Sequence, residues 1–521
     1  MKQIDIILNP EQAFDEHQRD SVFKNHPDLS GKNFVILKRS IDARHGKVKV
    51  VFLVNVIEDS EKQNQEKFER KYLNVSSAQP VFIAGSGPAG LFAALRLIES
   101  GFKPVIIERG KEVRERRRDL ALITKQGIVN PDSNYCFGEG GAGTYSDGKL
   151  YTRSGKRGSI GHILNTFISF GADSDIAIDA HPHIGTNKLP GIITAIRKQI
   201  LDCGGAFFFN TKLTGLVIQN RKLKGIKLCS ASGEWTEKAT ALILATGHSA
   251  RDVFGMLPEN KLTIEAKPFA LGVRIEHQQS LIDSIQYRCK KRNDYLPPAA
   301  YSLKTQSGNR GVYSFCMCPG GIIAPAATSP GEVVVNGWSP SKRNNPYSNS
   351  GIVVTITEDD VKRFSKTGAL RFLHFQKETE QKSFLAGGEN LFAPAQRMVD
   401  FTEGKISSLL PACSYKPGIT SAPLADIFPK EITQALKAAF RDFGKKMKGY
   451  FTNEAVVVAT ESRTSSPVRI PRDEKTRMHP DCDGLFPCGE GAGYAGGIVS
   501  AAMDGERCAD AVSRNISLER I

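Results

Sequence analysis

The chain has 521 residues, 40% of them hydrophobic and 24% charged, and carries a formal net charge of +15. That composition excludes a disordered, collagenous or membrane-spanning chain. It leaves a globular protein of roughly two to four domains. The positive balance suits an anionic cofactor or substrate, a nucleic acid or an acidic membrane surface.

The first residues, MKQIDIILNPEQAFDEHQRD, turn polar within a few positions, unlike a signal peptide, so a cytoplasmic protein is expected. Ten cysteines are scattered without any C-x-x-C pair, and only Cys316 and Cys318 lie close together. A zinc ribbon or a disulfide framework is not expected from that spacing.

Residues 1–75 read as a small β-α-β-β domain. IDIIL is a strand. PEQAFDEHQRDSVFKNH has helical spacing, with Ala13, Phe14, Val22 and Phe23 as apolar contacts. NFVILKRSIDAR and KVKVVFLVNVI are β-rich runs meeting at His45-Gly46, and the polar stretch 58–79 is a linker or connecting helix.

Residues 80–109, PVFIAGSGPAGLFAALRLIESGFKPVIIER, give strand, glycine turn, helix and strand in order. Gly85-Ser86-Gly87-Pro88-Ala89-Gly90 is G-x-G-x-x-G. The first glycine permits the turn, the second lets backbone approach a pyrophosphate, and the third lets helix and strand pack closely. The helix N-terminus offers free N–H groups to the phosphates. Glu108, at the end of the second strand with Arg109 beside it, has the spacing of a carboxylate that grips ribose hydroxyls. An acid there favours FAD or NAD over NADP. The basic run RERRRD, 114–119, reads as a solvated helix face.

The segment FGEGGAGTYSDGKL, 137–150, concentrates glycine within a few residues. A flexible linker is one reading. Phe137, Tyr145 and Leu150 favour a packed loop whose N–H groups crowd against a pyrophosphate or a flavin edge. Its candidate cofactor residues are Gly138, Gly140, Gly141, Ala142, Gly143, Thr144, Ser146, Asp147 and Lys149. ALILATGHSA, 241–250, is a buried-type strand ending in Ala245-Thr246-Gly247. FPCGEGAGYAGGIVSAAMDG, 486–505, runs through Gly489-Glu490 into a helix after Gly496, Gly497 and Ile498.

This order of G-x-G-x-x-G, A-T-G and G-[DE] resembles the glutathione-reductase-type flavoprotein superfamily. The resemblance implies a doubly wound α/β FAD-binding domain. It implies that Glu490 serves the ribitol or pyrophosphate, and that the last helix points its N-terminus at the flavin, favouring negative charge there. FGEGGAGTYSDGKL more closely resembles the signature of a family of uncharacterised FAD-dependent dehydrogenases found widely in bacteria. SIDAR, KPFALGVRIEH, VYSFCMCPGG, VVNGWS, APAQRMVDF and ESRTSSPVRI share that resemblance. Trp338 departs from it, where a smaller or more flexible residue is expected. The family implies FAD and the small N-terminal domain, but no substrate.

The expected FAD-binding domain comprises 78–260 and 452–521, with a mixed-sheet substrate or cap domain at 261–451. That insert reads β-rich first (FALGVRIEH, VYSFCMC, GIIAPA, EVVVNGW, GIVVTIT) and then helical, through DDVKRFSKTGALRFLHFQKETEQKSF and EITQALKAAFRDFGKKM. Cys316 and Cys318 are either a redox pair or two strand residues sharing one face. His248 is a candidate acid or base, or a turn residue. Arg463 is a candidate anion ligand, or an ion-pair partner of Glu461. His181 and His183 have H-x-H spacing without a third ligand nearby, so no metal is expected.

The expected function is transfer of hydride or electrons through one FAD, between an unidentified small molecule or redox partner and an acceptor. No second G-x-G-x-x-G follows a strand, so NAD(P)H would visit only transiently. A flavin monooxygenase and a tRNA-binding flavoprotein are the alternatives, the latter motivated by charge and by KRSIDARHGKVK. Nucleic acid is the less favoured partner.

Overall fold

A computed structural model describes residues 2–44, 46–57, 68–152 and 158–519. The N-terminal unit is a three-stranded antiparallel sheet. Strand Lys49–Ile57 lies between Lys2–Leu8 and Asn33–Asp42. The expected helix is split into Pro10–Phe14 and Glu16–Asn25. Asp15 breaks it by adopting an extended conformation, then caps the second piece by accepting from the Gln18 N–H. Ala13 and Phe23 are buried against the sheet, while Phe14 and Val22 are half-buried. His45 of the hairpin turn and residues 58–67 of the polar stretch lie outside the described residues. Residues 68–79 form no helix. Arg70 anchors them through Glu99 at 2.7 Å and Glu506 at 2.9 Å.

The second unit is a five-stranded parallel sheet in the order Leu485–Pro487, Leu242–Leu244, Pro80–Ala84, Lys103–Ile107, Ala206–Phe208. Its strands are continuous apolar runs because helices cover the sheet. Helix Pro88–Glu99 buries Leu91, Phe92, Leu95 and Ile98. Each such side chain contributes about 1.5–3 kcal/mol by leaving water. Helix Ile498–Glu519 packs directly on it. The two backbones touch, since a Cβ on Gly505 would stand 2.0 Å from the Ala89 carbonyl oxygen. An antiparallel meander, Lys212–Gln219, Lys222–Ser230 and Gly233–Lys238, is inserted before Leu242–Leu244.

The third unit is a seven-stranded sheet in the order Lys304–Ser307, Arg310–Cys318, Tyr347–Thr355, Ala270–Gln278, Val456–Glu461, Ala393–Arg397, Ile419–Ser421. All pairings are antiparallel except the last. Residues 456–461, expected with the cofactor domain, pair into the middle of this sheet. The long helical run breaks at Gly368, which has φ +58, and continues as helix Arg371–Ala386. Helix Lys430–Lys446 buries Leu436, Phe440 and Phe443. The architecture is therefore mixed α/β, with one parallel sheet, one mixed sheet and smaller antiparallel ones. Among the described residues no helix is long and apolar enough to cross a membrane.

Candidate functional site

The parallel strands deliver three glycine-rich turns to one end of their sheet, where a cavity opens. Gly85, Gly87, Pro88 and Ala89 line it from the first turn, and Ala245, Thr246, Gly247 and His248 from the second. Gly489, Glu490, Gly497 and Ile498 line it from the third, and Gly141, Ala142, Gly143 and Ser146 from the long glycine loop. The N-termini of helices Pro88–Glu99 and Ile498–Glu519 both abut it. Gly87 makes no side-chain cap on the first of these helices, so its leading N–H groups remain for a ligand. At Gly247 and Gly497 the backbone has positive φ, and a Cβ would meet nothing within 4 Å. These glycines leave bare backbone facing open space.

The glycine loop is a packed structure, not a linker. Gly138 N–H donates to Glu108 at 3.0 Å, Gly140 N–H to the Ser86 carbonyl at 3.0 Å, and Tyr145 Oη to the Val113 carbonyl at 2.8 Å. Its clamp is Arg116, which has no solvent exposure. That corrects the solvated reading of RERRRD at Arg116 and Asp119, which are buried, while Arg114, Glu115, Arg117 and Arg118 are exposed as expected. The guanidinium donates to the carbonyls of Asn134 (2.8 Å), Glu139 (2.8 Å), Tyr135 (3.0 Å) and Gly141 (2.9 Å). A Cβ on Gly138 would stand 2.5 Å from the Arg116 side chain, so glycine is needed there. Val113, Arg116, Leu120 and Ile123 form the buried face of helix Val113–Gln126. Their i, i+3, i+7, i+10 spacing was the available signal for Arg116.

Glu108 lines the cavity, but its oxygens already serve the protein. Oε2 accepts from Ser86 N–H (3.0 Å) and Oγ (2.6 Å), and Oε1 from Gly110 and Gly138 N–H (3.0 Å each). It therefore ties the first turn to the glycine loop. Arg109 caps the cavity end, with its guanidinium 4.5 Å over the Phe137 ring and paired to Asp252.

Some candidate residues do not line the cavity. Gly90 packs on Gly85, and Gly140 on Thr144 and Ile193. Thr144 donates to the Glu139 carbonyl, and Gly496 N–H to Ser500 Oγ. Asp147 and Lys149 turn away from the cavity, Asp147 to Ser339 and Arg343 in the loop before strand Tyr347–Thr355, Lys149 to the Met317 carbonyl of the seven-stranded sheet.

Burial raises the Glu490 carboxyl to about 7, and Lys267 offsets only part of that. A carboxyl raised on folding stabilises fully below its unfolded value and loses that stability as pH rises through about 7. In the cofactor-free chain, Glu490→Gln is expected to be more stable than the parent at pH 8 by roughly 3 kcal/mol and about equal to it at pH 4. Denaturant unfolding at the two pH values checks this. Burial likewise holds His248 down to about 4, with Arg463 adding to the effect, so the imidazole is neutral at neutral pH. Its Nδ1 meets Ser249 Oγ at 3.0 Å.

Arg463 pairs with Glu380, not with Glu461, at 2.7 and 2.9 Å. Arg251 bridges Glu380 and Glu332, the latter at 2.5 Å. The two arginines hold Glu380 down to about 2 against burial, which alone would raise it. Glu461 instead pairs with Arg274 at 2.6 Å, both fully buried. His183 turns its ring to the Ser341 carbonyl at 3.2 Å, and His181 lies against Tyr151. Trp338 is half-buried, and its indole N–H has no acceptor. Among the described residues, Cys488, Asp504 and Cys508 gather three metal-type ligands. Arg472 already places its charge on Asp504 at 2.6 Å and lies 3.3 Å from Cys508 Sγ, where it would repel a cation.

The cavity fits a dinucleotide with a flavin. It has one helix N-terminus at Pro88 for a pyrophosphate and a second at Ile498 for a flavin, open backbone at Gly247 and Gly497, and an empty volume of about 1170 Å³ including its mouth.

Comparison with known proteins adds the family. Residues 268–464 match the family "FAD-dependent protein, C-terminal domain-like", and residues 1–57 a domain of unknown function, DUF8436. A Clostridium beijerinckii protein, described as uncharacterised, is 39% identical over 505 residues, 93% of each chain. Solved structures that align include CtdE in complex with FAD (10% identity, 85% of this chain and 88% of that one, TM-score 0.34). Others are a mutant of the flavin-dependent brominase Bmp2 (12%, 84% and 80%, 0.37) and a geranylgeranyl bacteriochlorophyll reductase-like protein of Thermoplasma acidophilum (13%, 85% and 80%, 0.37). With 39% identity across nearly its whole length, the chain belongs to the same family as the C. beijerinckii protein.

Proposed function

We propose that the chain is a single-FAD oxidoreductase of the glutathione-reductase type, dehydrogenase-like, acting between an unidentified small molecule or redox partner and an acceptor. The observation that carries this reading is the meeting of Gly85–Gly90, Ala245–Gly247 and Gly489–Glu490 on one cavity at two helix N-termini. FAD, when bound, supplies hydride or electron transfer. The residues bind and orient it. The N–H groups after Gly87 take the pyrophosphate, and Arg109 with Phe137 closes the outer end. Glu490 reaches the ribitol side, and the start of helix Ile498–Glu519 favours negative charge on the flavin. The seven-stranded sheet, joined to the glycine loop by Lys149, forms the cap that excludes water.

The test is the visible spectrum of purified protein under anaerobic conditions, before and after NADH or NADPH. An oxidised flavin spectrum is expected. Rapid bleaching assigns a nicotinamide as donor. A spectrum that stays oxidised assigns the donor role to a substrate or redox protein. A colourless chain that takes up no added FAD overturns the proposal. Fast NAD(P)H-driven oxygen consumption would move it to the monooxygenases. Within KRSIDARHGKVK, the stretch that motivates the tRNA alternative, Arg39 pairs with Asp175 and Asp179 and Arg44 with Asp42, which leaves Lys38, Lys47 and Lys49 as its exposed cations outside these pairs.

A further inference from the structure

Where the glycine loop meets the seven-stranded sheet, two thiols lie among buried charges. Lys149 Nζ is 3.6 Å from Cys316 Sγ and 3.8 Å from Cys318 Sγ, and donates to the Met317 carbonyl between them. Arg274 Nη1 reaches the Cys316 carbonyl at 3.4 Å, while its Nε holds Glu461. Asp147 pairs with Arg343 at 3.0 Å and stands 3.9 Å from Lys149. Asn336 and Asn349, from two further strands, hydrogen-bond Arg274 and carry no charge. His183, facing Asp147, is held by burial to about 4 and stays neutral.

The cluster thus gathers Lys149, Arg274 and Arg343 with Asp147 and Glu461, and the buried Glu276 and Tyr301 face Arg274 as well. Lys149 keeps a third of its side chain exposed, and beyond Asp147 at 3.9 Å its ammonium has the two sulfurs as neighbours.

The backbone distinguishes them. Cys316 has φ +47, rare for a residue with a side chain, inside a bulge between Phe315 and Cys318. In a regular strand, residues two apart stand about 6.6 Å from one another along the chain. Here both sulfurs reach one ammonium. Cys316 is half-buried and Cys318 has no exposure. A hydrogen bond from Cys318, together with Lys149 and Arg274, holds the Cys316 thiol well below its ordinary range, and Cys318 is pushed up in turn.

We propose that Cys316 and Cys318 are a redox-active dithiol, with Cys316 the attacking thiolate and Cys318 the resolving thiol, that exchanges two electrons with small-molecule disulfides. The Cys316 thiolate attacks one sulfur of the disulfide. The S–S bond breaks and one thiolate leaves. Cys318 Sγ then attacks Cys316 Sγ, the mixed disulfide breaks, and the Cys318 proton goes to the second leaving thiolate. The dithiol is oxidised to a Cys316–Cys318 disulfide, and the external disulfide is reduced to one thiol, protonated by Cys318, and one thiolate, which takes its proton from water. Lys149 acts as the fixed counter-charge throughout. This inference stands on the thiol cluster and not on the flavin reading.

The full chain as purified is alkylated with iodoacetamide from pH 5 to 9 and mapped by peptide mass. Cys316 is expected to react with a midpoint below the ordinary thiol value of about 8.5. Lys149→Met should raise that midpoint by about one unit, making alkylation at pH 7 about tenfold slower. Lys149→Arg should keep it low. Incubation with oxidised glutathione should leave a Cys316–Cys318 disulfide in the parent chain. In Cys318→Ser it should leave one glutathione trapped on Cys316. Should Lys149→Met fail to fold, Lys149→Arg and Cys318→Ser carry the test. A midpoint at or above the ordinary value overturns the proposal, as does a Cys318→Ser chain that traps no glutathione.

Discussion

Gly90→Ala is expected to yield protein without bound flavin and with a lowered melting temperature, if it folds at all. A Cβ at this position would stand 1.9 Å from the Gly85 carbonyl oxygen and 3.1 Å from its carbonyl carbon. No side-chain rotation relieves a contact with backbone. The helix must withdraw from the turn, or the turn from the strand. Gly85 has no room to move, since its own φ is +104 and a Cβ on it would meet the Ala245 carbonyl oxygen at 2.4 Å. Overpacking a core typically costs about 1–3 kcal/mol, and a clash between two backbones belongs at or above the upper end. The displacement lands on Gly87–Ala89, whose N–H groups are the proposed phosphate site. The flavin-to-protein absorbance ratio and the melting temperature, with and without added FAD, check the outcome. Flavin content like the parent's would show that the turn is not the phosphate site.

Arg116→Met should cost about 3–5 kcal/mol in denaturant unfolding, the range for removing one partner from a buried charged network. The side chain has similar length, so little volume is lost. What is lost is the donor to four carbonyls, of Asn134, Tyr135, Glu139 and Gly141. Each left unsatisfied in the interior carries its own penalty. Limited proteolysis should cut first between 134 and 145, since Arg116 is what closes that stretch. A variant as stable as the parent, with the same cleavage pattern, would show that the glycine loop holds itself.

The cofactor cavity was the most legible part of the chain, because it is built of backbone. Glycine at fixed spacing, a strand before it and a helix after it are all local features. Gly85–Gly90, Ala245–Gly247 and Gly489–Glu490 could therefore be read one segment at a time, and the structure brings all three to one place. Arg116 was misread because a run of arginines suggests solvent. Its place on the apolar stripe of its helix outweighed composition. The pairing of Glu461 with Arg274 and of Arg463 with Glu380 depends on a strand, Val456–Glu461, that joins a distant sheet. Ion-pair partners set by strand order leave no trace in sequence spacing. The meander Lys212–Lys238 was not singled out, since strands that are half exposed carry few long apolar runs. Gly368 broke a helix that apolar periodicity carried straight through, since φ +58 turns the chain where the pattern does not.

The contact between Gly505 and Ala89 joins residues more than 400 positions apart, and the same two helices frame the cavity. During synthesis the first helix leaves the ribosome hundreds of residues before the second exists. For most of translation the nascent chain displays the first turn with one wall of the cavity missing. The cavity is thus closed among the last events in the making of this protein, and a chain cut short anywhere before residue 498 is left with an open one.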